Sequence, residues 1–183
     1  LFDRISETQA PQGIMSVADL PQYPVRDIVT TIRRAVVLEN IQDPGNLGTI
    51  IRTADACGFD GVLLSKDCAD PFNPKAVRST MGSLVHLPVM VLEDIYEILG
   101  TLRKNGLKIA AAHIRDAVLC WEADLSDDVA IVIGNEGNGI TEKMLNLADL
   151  TITIPMAGKA ESLNASSAAS ILLYESLRQI HSL

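Results

Sequence analysis

The stretch that decides the fold is AVVLENIQDPGNLGTIIRTADACGFDGVLLS, residues 35–65. It opens with an apolar run that predicts a buried strand at 35–40 and closes with a second such run at 61–65. Between them, a Pro-Gly turn leads into a helix that is expected to begin at Asn46, as its N-cap, and to end near Cys57. A strand, a helix and a strand within about 30 residues indicate a βαβ unit with parallel strands.

The same alternation continues to the end of the chain. Further strands are expected at 86–92, 107–114, 128–135 and 149–155, and helices within 71–84, at 93–106, near 140–148 and from the N-cap Ser162 to about 181. Strands that alternate with helices predict an α/β fold, in which a mostly parallel sheet carries helices on both faces. Residues 1–30 contain several prolines and one possible strand, GIMSV at 13–17, and are interpreted as a linker. Residues 31–183 are interpreted as one domain.

Composition narrows the classes of protein and site. The 183 residues carry a formal net charge of −8, which argues against a broad basic surface for nucleic acid but leaves room for a local basic patch. The three cysteines, Cys57, Cys68 and Cys120, form no CxxC pair, so neither a disulfide framework nor a cysteine metal site is expected, and a cytoplasmic location is the default. The three histidines are scattered, and no metal is expected. No apolar run is long enough to span a membrane.

Two glycine-bearing turns follow late strands, at IGNEGNGI (133–140) and IPMAGKAESLN (154–164). Both are expected at the carboxyl edge of the sheet, where open α/β proteins bind their ligands. Neither is a phosphate loop, because Lys159 lacks the upstream glycine and the following Ser or Thr of a Walker A motif, and GNEGNG reverses the dinucleotide spacing.

Two carboxylates lie in these turns, Glu136 in the first and Glu161 in the second. A carboxylate near a helix N-terminus competes with a phosphate for the same positive dipole. The pattern favours a nucleoside-like ligand without phosphates, such as the cationic S-adenosylmethionine. Ordinary tight turns would give the same glycine spacing, and the spacing alone does not decide between the two interpretations.

The segment after the first strand is a further candidate for a functional site, because Asn46 and Arg52 follow its Pro-Gly turn. A capped helix with one exposed arginine would look the same. Leu47, Ile50, Ile51 and Ala54 form one apolar face of that helix, and Arg52 projects from roughly the opposite face.

Three segments together resemble the SpoU/TrmH family of RNA ribose 2′-O-methyltransferases, within the SPOUT class. They are DPGNLGTIIRTADACG (43–58), IVIGNEGNGI (131–140) and IPMAGKAESLNASSAASILLYE (154–175), in the order and spacing of the family's three motifs. The resemblance covers the chain from about residue 34 to its end. It implies a six-stranded parallel sheet with a deep trefoil knot near the C-terminus, S-adenosylmethionine as cofactor, a homodimer, and RNA as substrate.

The resemblance also implies site residues. Those that match the family's cofactor-binding positions are Gly134, Ile154, Met156 and Leu163, and those that match its conserved polar positions are Asn46, Arg52, Glu136 and Asn164. Arg52 is expected to hold a phosphate of the RNA and to stabilise charge on the 2′-oxygen, because a guanidinium does not deprotonate in proteins. Arg78 and Ser79 are candidates for RNA contact, with simple helix capping as the alternative. Lys159 and Glu161 are assigned no chemistry.

The first residues, LFDRISETQAPQGIMSV (1–17), resemble the junction that follows an N-terminal RNA-binding domain in members of the family that modify ribosomal RNA. This favours 23S ribosomal RNA over transfer RNA as substrate, and residues 1–30 as the exit of such a domain. Three alternatives stay open: a transfer RNA 2′-O-methyltransferase, a knotted RNA-binding relative without catalysis, and an unrelated nucleotide-binding α/β protein.

Overall fold

The computed structural model describes residues 13–14 and 16–181. The strands are β1 Arg34–Leu38, β2 Gly61–Ser65, β3 Val89–Leu92, β4 Lys108–Ala112, β5 Val118–Leu119, β6 Val129–Ile133 and β7 Leu150–Thr153. The helices are α1 Val25–Thr31, α2 Pro44–Ala56, α3 Pro74–Thr80, α4 Ile95–Lys104, α5 Glu142–Leu145 and α6 Ala165–His181, with a 3-10 turn at Ser83–Val85.

The strands form one sheet in the order β3-β2-β1-β6-β4-β7-β5, and every neighbouring pair is parallel. The six strands expected from the sequence are all present. The expected count of six is nevertheless one short, because β5 pairs with the outer side of β7. With two residues, β5 is too short to show a periodic pattern in the sequence.

Helices cover both faces of the sheet, as predicted. Side chains alternate along β1, so that Val36 and Leu38 pack beneath α2 and α6 while Ala35 and Val37 face α4. An apolar cluster therefore lies on each face of the sheet, and these four β1 residues at the centres of the clusters have no exposed surface. Because β1, β6, β4 and β7 are parallel neighbours, their carboxyl ends meet at one edge of the sheet.

Two predicted helix caps are wrong, and each correction bears on the site. Asp43, not Asn46, caps α2: its Oδ1 accepts a hydrogen bond of 2.8 Å from the backbone N–H of Asn46. Asn164, not Ser162, caps α6: its Oδ1 accepts from the backbone N–H of Ser166 at 2.8 Å. The Asn46 side chain is consequently not used in capping and can contact other elements.

The end of the segment 1–30 is helical. Helix α1 lies across the boundary expected at residue 30, and its residues Ile28 and Val29 pack against the core. The possible strand at 13–17 is not observed at its described residues 13, 14, 16 and 17, and Met15 lies outside the described residues. Residues 1–12, which carry most of the junction resemblance, also lie outside them.

The described residues contain neither a candidate membrane span nor a candidate metal cluster. No helix in this part of the chain is both long and apolar enough to cross a membrane. Nor do its His, Cys, Asp and Glu side chains form a group of three or more that could hold a metal ion.

Candidate active site

Three of the four predicted polar residues form one hydrogen-bonded chain at the carboxyl edge of the sheet. The Asn46 Nδ2 donates to Glu136 Oε1 at 2.9 Å, and the Asn164 Nδ2 donates to Asn46 Oδ1 at 3.0 Å. These side chains follow β1, β6 and β7, and they join α2, the loop after β6 and the start of α6. We call Glu136, Asn46 and Asn164 the polar chain.

The loop after β6, residues 134–140, is closed tightly on itself. The backbone groups of Asn135 and Gly139 exchange hydrogen bonds of 3.0 and 2.9 Å, and Asn135 Oδ1 accepts from the N–H groups of Gly137 and Asn138. A Cβ at Gly134 would lie 2.4–2.5 Å from backbone atoms of Gly139 and Ile140, which no side chain tolerates. The loop therefore presents Glu136 from a fixed turn.

A cavity of about 170 Å³ lies beside the polar chain, at the ends of β4 and β7. Its walls are mostly apolar, and they are formed by Ala112, His113, Ile114, Ile152, Thr153, Ile154, Met156, Glu161, Ser162, Leu163, Ala168 and Leu172. Three of the four predicted cofactor residues, Ile154, Met156 and Leu163, line it. The cavity meets the polar chain at Leu163, which immediately precedes Asn164.

Gly134, the fourth predicted cofactor residue, is not among the residues that line this cavity. A glycine is required at this position because the backbone of the loop lies too close for a side chain. The other nine lining residues were not predicted to bind cofactor, and two of them, His113 and Glu161, carry ionisable side chains. His113 comes from the end of β4, and Glu161 is the one carboxylate of the lining, so the cavity combines apolar walls with a single negative group.

Helix α2 presents different faces to its neighbours. Asn46 and Thr53 face α6, where Thr53 Oγ1 lies 3.4 Å from Ser170 Oγ. Gly48 faces α3, because a Cβ there would lie 2.5 Å from the Ala76 carbonyl oxygen. Arg52 follows Gly48 by four residues and so lies on the α3 side, one turn further along.

Arg52 is exposed and is not joined to the polar chain. Within the described part of the chain, no group forms a hydrogen bond or an ion pair with its guanidinium. Its five donors remain available to a ligand from outside the protein. The structure thus separates the predicted set into a bonded chain of three residues and one arginine with open bonding capacity.

The two predicted RNA contacts differ in their surroundings. Arg78 is exposed near the end of α3, whereas Ser79 is half-buried and its Oγ donates to the Lys75 carbonyl oxygen at 2.9 Å. Neither residue caps the N-terminus of α3, which is capped by Asn73. Arg78 is therefore the more accessible of the two.

Electrostatics fix the start of α2. A hydrogen bond from Lys75, together with the amide of Asn46, holds the pKa of the Asp43 carboxyl below its ordinary value. Asp43 Oδ2 accepts from Lys75 Nζ at 2.7 Å. The cap therefore stays ionised at neutral pH and keeps Asn46 in place on the first turn of the helix.

Comparison with known proteins identifies the family. The sequence profile of the SpoU rRNA Methylase family matches residues 33–174. The 23S rRNA (guanosine(2553)-2′-O)-methyltransferase RlmP of Bacillus subtilis is 39% identical over 173 residues, which cover 94% of this chain and 68% of that protein.

Two crystal structures share the architecture. The SpoU methyltransferase AviRb from Streptomyces viridochromogenes superposes with a TM-score of 0.81 at 34% identity, over 88% of this chain and 65% of that one. The AdoMet-bound rRNA methyltransferase from Sinorhizobium meliloti gives a TM-score of 0.80 at 37% identity, over 89% of this chain and 62% of that one. The chain thus spans about two thirds of the length of these relatives. The profile match and the identity with RlmP show that the chain belongs to the SpoU rRNA methylase family.

Proposed function

We propose that this protein transfers a methyl group from S-adenosylmethionine to a ribose 2′-hydroxyl of structured RNA, and that 23S ribosomal RNA is the substrate. The observation that carries the proposal is the meeting of an apolar cavity with the polar chain, whose Asn46 belongs to the same helix as the exposed Arg52. Relatives named as 23S rRNA 2′-O-methyltransferases support the choice of RNA and of atom.

The cavity suits S-adenosylmethionine. Apolar walls such as Ile154 and Leu163 fit an adenine ring, and Glu161 offers a negative group to a cationic ligand. When bound, this cofactor supplies an electrophilic methyl group. The AdoMet-bound structure of a relative at 37% identity supports the same assignment.

The remaining work falls to residues of the chain. Transfer breaks the bond between the methyl group and the sulfur, forms a bond from that methyl group to the 2′-oxygen, leaves S-adenosylhomocysteine and releases the hydroxyl proton to water. It requires the 2′-oxygen to be aligned with the methyl group, and it requires the negative charge that develops on that oxygen as the proton leaves to be stabilised. Arg52 is the catalytic residue of this proposal: its guanidinium holds an RNA phosphate and lowers the cost of charge on the 2′-oxygen. The polar chain positions α2, the helix that carries Arg52, because Glu136 accepts from Asn46 and Asn46 accepts from Asn164.

The experiment that tests the function is a map of 2′-O-methyl groups in ribosomal and transfer RNA from cells with and without the gene. We expect one site in 23S ribosomal RNA to lose its methyl group when the gene is deleted and to regain it when the gene is restored. Loss of a methyl group from transfer RNA alone would show that transfer RNA, and not 23S ribosomal RNA, is the substrate. Complete retention, in a strain without a second family member, would favour the non-catalytic relative.

A Glu161→Gln substitution is expected to weaken binding of S-adenosylmethionine more than binding of S-adenosylhomocysteine. The sulfur is cationic in the first compound and neutral in the second, so only the first loses an attraction at this atom. Exposed ion pairs of this kind contribute little, and the expected difference between the two affinity changes is about two- to fivefold. Titration calorimetry with both compounds measures it.

Lys159→Gln is the matched control, because Lys159 belongs to the same loop but does not line the cavity. Its two affinities should stay as in the original chain. If Glu161→Gln lowered the affinity for both compounds equally, the carboxylate would not face the sulfonium.

A homodimer is part of the same proposal. A second groove of about 490 Å³ is bordered by three exposed large side chains, Trp121, Ile171 and Tyr174, which are 52%, 41% and 57% exposed. Such a cluster is typical of an interaction surface. Ile154 lines both this groove and the cofactor cavity, so a second copy seated here would border the cofactor.

Tyr174→Arg is expected to convert the dimer to a monomer, because it places a charge in an apolar contact. Light scattering after size exclusion measures the mass. Val85→Arg is the control, since Val85 is 75% exposed on the 3-10 turn and outside the groove. A Tyr174→Arg protein that kept the mass of two chains would rule out this groove as the interface.

Three other expectations from the sequence remain proposals. The trefoil knot is supported by the insertion of β6 between β1 and β4 and by the return of α6 to α2. The interpretation of residues 1–30 as the exit of an N-terminal RNA-binding domain is supported by the length of the relatives, of which this chain spans about two thirds. A cytoplasmic location follows from ribosomal RNA as substrate.

A further inference from the structure

A buried carboxylate lies at the carboxyl end of β1. Glu39 follows the last residue of β1, and its side chain has no exposed surface. Oε1 accepts hydrogen bonds from Tyr96 Oη at 2.8 Å and from Thr141 Oγ1 at 2.7 Å, and Oε2 accepts from the Thr141 backbone N–H at 2.8 Å.

The carboxylate is bonded through neutral donors. No lysine, arginine or histidine of the described residues pairs with Glu39. Burial of an ionised group without a counter-charge is costly, and it persists where hydrogen bonds to the charge compensate. Such charge-assisted bonds are short and directional, which makes a carboxylate a stronger anchor than a neutral amide.

The group held by Glu39 is the end of the glycine loop. Two of its three bonds come from Thr141, which directly follows the loop 134–140. Thr141 also caps α5, because its Oγ1 accepts from the backbone N–H of Met144 at 3.2 Å. The far end of the loop is thereby fixed to β1 and to α5 together.

Asn40, the residue after Glu39, holds the other end of the same loop. The carbonyl oxygen of Asn40 accepts from Asn135 Nδ2 at 2.8 Å. Asn40 itself is held in the left-handed region, at φ 58°, by a bond from its N–H to Ser65 Oγ. Glu39 and Asn40 therefore clamp both ends of the loop that presents Glu136 to Asn46.

We propose that Glu39 is a positioning residue for the methyl transfer, which acts by fixing the loop that carries Glu136. The inference rests on the proposed function. Glu39 touches neither the cofactor cavity nor the polar chain, so its effect passes through Thr141 and the loop. The alternative is that Glu39 stabilises the fold only, as a buried polar group at any place would.

The test is a double-mutant cycle on the full chain, with Glu39→Gln and Glu136→Ala. The amide has the size of the carboxylate, but one of its ends is a donor, so it cannot accept all three bonds. We expect Glu39→Gln to lower kcat by about 10- to 100-fold, the effect of a small misplacement of site groups, with KM for S-adenosylmethionine unchanged. In the Glu136→Ala background the same change should have little further effect.

Ser176→Ala is the structural control. Ser176 is also fully buried, and it bonds to Arg34 and to the Leu125 carbonyl oxygen, at the opposite edge of the sheet. We expect it to lower the unfolding temperature while kcat, measured well below that temperature, stays unchanged. An equal fall of kcat on Glu39→Gln in both backgrounds, or no fall at all, would overturn the proposal.

Hydrogen exchange separates this proposal from the proposed function. The amides of residues 137–139 should exchange faster in Glu39→Gln and not in Ser176→Ala, whether or not the chain methylates RNA. If the unsubstituted protein did not methylate RNA, the proposed function would be wrong. If the exchange of these amides were unchanged in Glu39→Gln, the proposal that Glu39 fixes the loop would be wrong.

Discussion

An Arg52→Ala variant loses methyl transfer to RNA and keeps its affinity for S-adenosylmethionine: this is the largest effect that we expect from a single substitution. Arg52 is exposed, has open bonding capacity and is not one of the residues that line the cofactor cavity. Removal of one group that stabilises charge in a transition state lowers kcat by about 10²- to 10³-fold. Single-turnover methylation of RNA measures the rate, and calorimetry measures cofactor binding.

Two controls make the result specific. Arg52→Lys keeps the charge but loses the planar fork of donors, so we expect a rate between those of the alanine variant and the original chain. Arg26→Ala removes an exposed arginine on α1, whose recorded ion pair is with the adjacent Asp27, and should leave the rate unchanged. Arg52→Ala with full activity would show that the catalytic assignment is wrong.

The second large effect is expected from Gly134→Ala, a change of one methyl group. The added Cβ would lie 2.4 Å from the Gly139 carbonyl carbon, and backbone cannot rotate away as a side chain can. The turn must open, so the paired hydrogen bonds between Asn135 and Gly139 lengthen and Glu136 moves away from Asn46. Overpacking of this kind costs about 1–3 kcal/mol of stability, and a shift of about 1 Å in a site costs about 10²-fold in rate.

Gly137→Ala is the matched control within the same loop. The nearest atom to its added Cβ would be Asn135 Oδ1 at 3.5 Å, an ordinary contact. We expect its unfolding midpoint in urea and its rate of methyl transfer to match those of the original chain. If Gly134→Ala were as stable and as active as Gly137→Ala, the close approach of the loop backbone to Gly134 would be required neither for stability nor for methyl transfer.

The fold was predictable from the sequence where patterns are long. The strand, helix and strand of residues 35–65 follow from two apolar runs and the apolar face of α2, and β2 lies at the predicted residues 61–65. Strand β5 has two residues and depends on pairing with β7, which no local pattern shows. Caps were misassigned because several residues able to cap stand close together, and the backbone decides among them: Asp43 and Asn46 at α2, Ser162 and Asn164 at α6.

The sequence named Asn46, Glu136 and Asn164 as candidate site residues, but it did not show that their side chains are bonded to one another. Asn46, Glu136 and Asn164 are far apart along the chain, and only the sheet order brings their loops together. The observed bonds of Asn46 link it to Asn164 and to Glu136, and neither asparagine is bonded to Arg52. Glu39 gave no signal, because a glutamate after an apolar run looks like the first residue of a surface turn, and its burial depends on Tyr96 and Thr141.

Transfer of labelled methyl groups from S-adenosylmethionine to unmodified 23S ribosomal RNA, followed by alkaline hydrolysis, tests the central claim most directly. A 2′-O-methylated ribose blocks cleavage at the next phosphate, so the account predicts that the label appears in one alkali-resistant dinucleotide. It also predicts that this label is absent with Arg52→Ala. Label recovered on a base in mononucleotides, or no label although the cofactor binds, would contradict it.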